Sequence, residues 1–196
     1  MPKLGKLKIA ETEISQTINL KEIFGKDFSK VPNNFKQALG QAFIDQIVER
    51  TKSGKGLNPV TGRNIKLRSP YSKEYANSLE FDAAGKSRNN VNLTLSGDML
   101  RSIDVLDVKA NTIKIGIDDT EEAAKAHGHQ TGKNGEVPRM KRPFFGLSAS
   151  DLKSVVNEVK PDVNKIFREK GAARNKLLDA LAAKILESGQ DGESLF

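Results

Sequence analysis

The sequence predicts an α+β fold: a small antiparallel β-sheet packed against a long helix in the N-terminal half and against C-terminal helices, with long basic loops between them. Three patterns carry that expectation. Ile113, Ile115 and Ile117 alternate with polar or small residues, the period of a half-buried strand. Phe35, Leu39, Ala42, Phe43 and Ile47 recur at helical spacing, and Ile44 and Val48 widen the apolar face. Leu152, Val155, Val156, Val159, Val163, Ile166 and Phe167 repeat that spacing later in the chain. Strands and helices in this order imply a sheet with its helices on one face.

Taken in chain order, residues 6–20 alternate loosely and read as one edge strand. Pro32 and Asn33 open the long helix, which should end near residues 50–53, where Gly54 and Gly56 stop it. Gly40 inside it implies either tolerance or the close approach of another backbone. Tyr71, Tyr75, Leu79 and Phe81 fit one short helical turn packed on the core. Residues 91–95 alternate as a strand, and Ser96-Gly97-Asp98 starts a short helix with an acidic residue near its N-terminus. Val105, Leu106 and Val108 form a strand, residues 109–111 turn, and 113–117 pair back as an antiparallel hairpin. Residues 120–126 form a short helix rich in Ala and Glu.

Ser148 and Asp151 form a start of the capping-box kind for the next helix. Pro161 falls inside that helix, which must kink there or restart with Pro in its first turn. Gly171 breaks it. Leu177, Leu178, Leu181, Ala182, Ile185 and Leu186 then make an amphipathic helix that need not belong to the core and could dock on a neighbouring subunit. The tail 188–196 is predicted to be disordered. The expected organisation is an N-terminal arm or edge strand (1–30), one core domain (31–170) with loops at 51–73 and 125–142, and a C-terminal helix and tail (171–196).

Composition bounds the function. The chain has 196 residues, a net charge of +7 and no Cys. Disulfides, thiol catalysis and Cys-ligated zinc are excluded, and no cofactor is implied. No apolar run approaches the roughly 20 residues needed to span a bilayer, and the N-terminus has no apolar signal core, so neither membrane residence nor secretion is expected. A pI of about 9.5 admits an anionic partner without identifying it. The charge is localised. Residues 51–73 contain no acid, but they hold Lys52, Lys55, Arg63, Lys66, Arg68 and Lys73. Residues 125–142 add Lys133, Arg139, Lys141 and Arg142 against Glu136 alone after Lys125. Both stretches are rich in Gly and Pro and read as long loops. Such loops are commonly functional or ordered by a partner.

Catalytic patterns are weak. His127 and His129, the only histidines, could ligate a metal only with a third ligand such as Asp119, Glu121 or Glu122, and their spacing matches no zinc motif. No Gly-x-Ser-x-Gly elbow singles out a serine, and no phosphate-cradling Gly-x-x-x-x-Gly-Lys-Ser/Thr pattern occurs. The pairs Asp118-Asp119 and Glu121-Glu122 are best placed to stabilise a helix start. No helix gathers Arg, Asn and Gln on one face for reading bases, and the basic loops carry no aromatic ladder for base stacking beyond Tyr71 and Tyr75.

The motifs do fall in a recognisable order. Leu95-Ser96-Gly97-Asp98-Met99-Leu100-Arg101-Ser102-Ile103 precedes the strand 113–117. Ala124-x-x-His127 and His129-Gln130-x-Gly132 follow, then Pro138, then Arg142-Pro143-Phe144-Phe145-Gly146-Leu147-Ser148. Upstream stand Glu49-Arg50-Thr51, Gly54-Lys55-Gly56 and Tyr71-Ser72-Lys73-Glu74-Tyr75-Ala76. This series resembles the tail-completion (virion morphogenesis) proteins of tailed bacteriophages over about residues 35–155, most closely over 95–152. Two departures stand out. The family's histidine is matched by halves at His127 and His129, and Arg139-Met140-Lys141 lengthens the step from Pro138 to Arg142.

The resemblance implies a structural, non-enzymatic virion protein, made in the host bacterial cytoplasm and located at the neck or tail end. It implies a homohexameric ring that completes the tail and joins it to the head connector or adaptor proteins. Tail terminator or tail tube proteins would lie on one side, with packaged DNA in the lumen. Ring-interface or channel residues would come from Lys52, Lys55, Arg63, Lys66, Arg68, Tyr71, Tyr75, His127, His129, Gln130, Lys133, Arg139, Lys141, Arg142, Phe144 and Phe145. Two other readings compete: a non-specific nucleic-acid-binding protein that uses the basic loops, and a metal-dependent nuclease or hydrolase that uses His127 and His129.

Overall fold

The computed structural model describes residues 7–67, 71, 73–83, 85–88, 91–93, 97–134, 137–138, 140–169 and 171–190. The chain starts with an antiparallel hairpin, β1 (Leu7–Ala10) and β2 (Glu13–Asn19). Asn19 then caps α1 (Leu20–Phe24), its side chain accepting from the amides of Lys21 at 3.1 Å and Glu22 at 3.3 Å. The long helix α2 (Asn33–Lys52) follows, then a second hairpin of β3 (Lys55–Leu57) and β4 (Asn64–Lys66). Three short helices come next: α3 (Lys73–Ala76), α4 (Leu79–Ala83) and α5 (Asp98–Arg101). After them run β5 (Asp104–Val108), β6 (Thr112–Ile117), α6 (Thr120–Thr131), the short pair β7 (Lys133–Asn134) and β8 (Val137–Pro138), and the helices α7 (Ala149–Arg168) and α8 (Gly171–Gln190).

The main sheet has strand order β1-β2-β6-β5 and every pairing is antiparallel. The α+β class expected from the pattern is the class observed. Register puts Ile14 opposite Ile117, Gln16 opposite Ile115 and Ile18 opposite Ile113. One face is therefore apolar, and α2 lies against it. A Cβ on Gly40 would come within 2.6 Å of Val105 Cγ2 and 3.1 Å of Ile113 Cγ2. The interior glycine of α2 thus marks close approach, to sheet side chains rather than to another backbone. The other face carries Glu13, Ser15 and Lys114, which pair with one another in an ionic cluster that includes Lys8.

Helix α2 is buried on most sides, at Phe35, Lys36, Ala38, Leu39, Gly40, Phe43, Ile44, Ile47, Arg50 and Thr51. It is sandwiched between the sheet and a layer made of α7 and α8. That burial explains why its apolar residues exceed a single stripe. Ser148 and Asp151 close a full capping box at the start of α7. α7 runs unbroken through Pro161, on its solvent side, where water can bond the carbonyl that proline leaves without a partner.

Several expectations change. Residues 7–19 are two strands rather than one, and only β1 is at the edge; β2 is internal. With Leu20, Phe24 and Phe28 also in the core, residues 7–30 are an integral part of the domain, not an arm. α8 packs Leu178, Leu181, Ala182 and Ile185 into the same core, against α2 and α7. Within the stretch 51–73, residues 51–52 end α2 and 55–66 form the β3–β4 hairpin, and 125–142 is helical as far as Thr131. Tyr71, Tyr75 and Phe81 form a triangle of edge-on rings with centroids 5.2–5.4 Å apart, but Tyr75 sits on α3, Phe81 on α4 and Tyr71 on neither, and Leu79 is 88% exposed. Residues 91–93 are not a strand; 94–96 and the tail 191–196 lie outside the described residues.

Candidate functional site

Residues 142–148 have no regular secondary structure, and yet all but the half-buried Arg142 are buried. Phe144 and Phe145 are 0% exposed. A buried backbone must find hydrogen-bond partners, and this one finds them on five other parts of the chain. The Arg142 amide donates to His129 O at 2.7 Å, and the Leu57 amide donates to Pro143 O at 2.8 Å. Gln130 acts as a surrogate strand: its Oε1 accepts from the amides of Phe144 at 2.6 Å and Phe145 at 3.2 Å, and its Nε2 donates to Phe145 O at 3.3 Å. The Leu147 amide donates to Gln16 Oε1 at 2.9 Å, from the apolar face of the sheet.

Arg50 closes the arrangement from the last turn of α2. Its guanidinium donates to Gly146 O at 2.9 Å, to Phe144 O, and to the Asp151 carboxylate in the capping box. Both ionic side chains are almost wholly buried. Burial pulls the Arg50 pKa down, and the Asp151 charge and hydrogen bond oppose that pull. Asp151 also accepts from the Ser148 amide at 2.7 Å and from Asn64 Nδ2 at 3.2 Å. One carboxylate therefore joins α2, α7, the 142–148 segment and the β3–β4 hairpin.

This clamp fixes the hairpin in place. Gly56 packs so tightly under the Pro143 carbonyl that any Cβ there would overlap it. The Leu67 amide donates to Gly54 O at 2.8 Å. At the tip, Asn58 Oδ1 accepts from the amides of Val60 at 2.9 Å and Thr61 at 3.1 Å, and Asn58 also makes backbone bonds with Arg63 and Gly62. The hairpin presents Lys55, Arg63 and Lys66 exposed, with Val60 91% exposed at the tip.

The candidate residues thus divide. Lys55, Arg63 and Lys66 share the hairpin, while Lys133 and Lys141 are exposed after α6. Lys52 is half-buried in the last turn of α2. Phe144, Phe145 and Gln130 are interior and offer no surface to a partner; Gln130 holds backbone. Tyr71 is buried too, with Arg142 at 5.2 Å and Lys86 at 5.3 Å over its ring, and burial is the main cause that raises its pKa. Tyr75 is half-buried beside it. Arg68 and Arg139 lie outside the described residues.

His127 and His129 are half-buried on α6, two positions apart, and residues at that spacing point to different sides of a helix. Asp119 is occupied as the N-cap of α6, accepting from the amides of Glu121 and Glu122 at 3.0 Å each. Lys125 pairs with both Glu121 and Glu122. Among the described residues no group of three His, Cys, Asp or Glu side chains is placed to hold a metal, and no helix is long and apolar enough to cross a membrane.

Sequence reasoning missed Arg50, Gln16 and Asn64 as organising residues. Buried or anchored polar side chains carry no periodic signal, and their partners lie up to 131 positions away. Comparison with known proteins brings out no matching family model, no matching curated protein and no matching solved structure.

Proposed function

We propose that this protein is a structural component of a bacteriophage virion, completing the tail and joining it to the head connector as a ring around the DNA channel. The observation that carries the reading is the ordered motif series from Leu95 to Ser148, together with the way its parts meet. α5 brings Met99 and Leu100 into the core beside α6. α6 supplies Gln130, which holds Phe144 and Phe145. Motifs that are separate in the chain act as one physical unit, as they should if they specify one module. The exposed cations of the hairpin are free of core duties and suit a role in assembly around an anionic polymer.

The experiment is deletion and imaging. A clean deletion in the phage should leave filled heads and free tails that fail to join, and complementation should restore joining. Electron microscopy of the purified protein added to isolated tails should show a ring stacked on the tail terminus. Normal infectious virions from the deletion, or a stable monomer without tail affinity, would refute the proposal.

A further inference from the structure

The β3–β4 hairpin has a charge arrangement that its own fold does not need. Lys55 and Lys66 are Cα partners across the antiparallel ladder, so their side chains leave the same side of the ribbon. Like charges placed directly opposite each other are destabilising, with Cβ atoms only about 5 Å apart. Arg63 lies three residues before Lys66, and no acid occurs anywhere in 51–73. Among the described residues, none of Lys55, Arg63 and Lys66 makes an ion pair.

We infer that this hairpin is a binding element for the phosphodiester backbone of nucleic acid, one that does not read base sequence. Three observations support a backbone contact. First, the ribbon is pre-organised: the contacts of Leu57 with Pro143 and of Asn64 with Asp151 hold its strands and the Asn58 turn holds its tip, so little ordering entropy is lost on binding. Second, the ribbon's two asparagine amides, which could read base edges, are already used. Asn58 bonds its own turn, and Asn64 donates to Ser150 Oγ at 3.1 Å and to Asp151 at 3.2 Å. What remains outward is cationic, and cations on phosphates position a protein without specifying sequence. Third, the opposed lysines need an anion of high linear density to offset their repulsion. Duplex DNA supplies one charge per roughly 1.7 Å of axis, a density an acidic protein surface reaches only against its own repulsion.

The inference stands apart from the ring proposal, because it concerns the purified chain and needs no tail. The test is fluorescence anisotropy with a labelled 30-base-pair duplex of random sequence, at a series of NaCl concentrations. The variant is Lys55→Glu/Arg63→Glu/Lys66→Glu, all exposed positions, with folding checked by circular dichroism. The control is Lys30→Glu/Lys160→Glu/Lys176→Glu, which makes the same change in net charge at exposed positions outside the hairpin. Wild type should bind with a log–log salt slope of at least about −2.7, from about 0.9 per phosphate neutralised. The hairpin variant should bind at least about tenfold more weakly at low salt with a slope flatter by 2 to 3, whereas the control should stay within about threefold of wild type. Polyglutamate at matched charge concentration should compete weakly. Equal loss in both variants would reduce the effect to net charge and overturn the assignment. So would absence of wild-type binding at low salt. Efficient displacement by polyglutamate that depends on the same three residues would transfer the hairpin to an acidic protein partner.

Discussion

Arg50 and Asp151, 101 positions apart, form a buried ion pair that fastens the end of α2 to the start of α7. The pair is also a hub, since Arg50 serves the carbonyls of Phe144 and Gly146 and Asp151 serves the Ser148 amide and Asn64. Removing one member of a buried pair leaves the other charge uncompensated.

Arg50→Met and Asp151→Leu are each therefore expected to cost about 3–5 kcal/mol, read as a shift in the urea midpoint at unchanged m. The double variant should cost less than the sum, with a coupling of about 1–3 kcal/mol. Recovery will be incomplete, because the two carbonyls and the capped amide remain without partners. Strict additivity would show that the pair does not act as a unit.

Gln130 and His127, on the same helix, should separate cleanly. Gln130 makes three hydrogen bonds through its side chain, whereas the bond that His127 accepts from the Thr131 hydroxyl at 2.8 Å is made by its backbone carbonyl. Gln130→Ala leaves the buried amides of Phe144 and Phe145 unsatisfied, and a loss of about 2–4 kcal/mol is expected at about 1–3 kcal/mol per orphaned group. His127→Ala keeps that backbone bond and should cost under about 1 kcal/mol. Equal losses from thermal or urea melts would mean that Gln130 is not the residue holding the segment.

This contrast shows what a single sequence can reveal. The β5–β6 hairpin, the long α2 and the capped start of α7 were legible because their signals are local: period two, period 3.6, and a Ser three residues before an Asp. β2 was half-legible, because Ser15 and Gln16 are buried polar residues that break the apolar alternation. Gly128 made the end of α6 look like a loop, yet it is buried there, inside a continuous helix. The β3–β4 ribbon was hidden by its own Gly and Pro residues, which fix its tip and let Gly56 pass under Pro143. The 142–148 segment was visible as a motif, but its reason for existing was not. Its partners come from β2, α2, β3, α6 and α7, and no window along the chain contains them.

Gly40 offers a test of layer packing. Replacing Gly by Ala in a helix interior gains up to about 1 kcal/mol of propensity. Here the added Cβ would meet Val105 Cγ2 at 2.6 Å, and a β-branched side chain has little freedom to yield. Overpacking of about 1–3 kcal/mol should win, so Gly40→Ala is expected to lower stability by about 1–2 kcal/mol net. In the background of Val105→Ala the same change should become neutral or favourable. If Gly40→Ala destabilises equally in both backgrounds, α2 does not press on Val105 as described.

The outer face of the sheet carries a pH dependence of known sign. Hydrogen bonds from Lys114, Lys8 and Ser15 hold the Glu13 carboxyl down at about 2, against an ordinary 4.5. A carboxyl that is more acidic in the folded chain stabilises it wherever the unfolded chain is also ionised, so the contribution is complete above about pH 4.5. It is lost as the pH falls from there towards 2. Lys8 is largely exposed and Lys114 partly so, and solvent screening limits the effect to about 1 kcal/mol. Glu13→Gln should therefore be less stable than wild type by about that amount at pH 6, with the difference closing as the pH approaches 2. Lys114→Met should reproduce most of the closing, because it removes the leading cause of the shift. Urea midpoints for the three proteins across pH 2–6 measure it. A gap between Glu13→Gln and wild type that stays constant with pH would mean that the carboxylate charge has no part in holding β2 to β6.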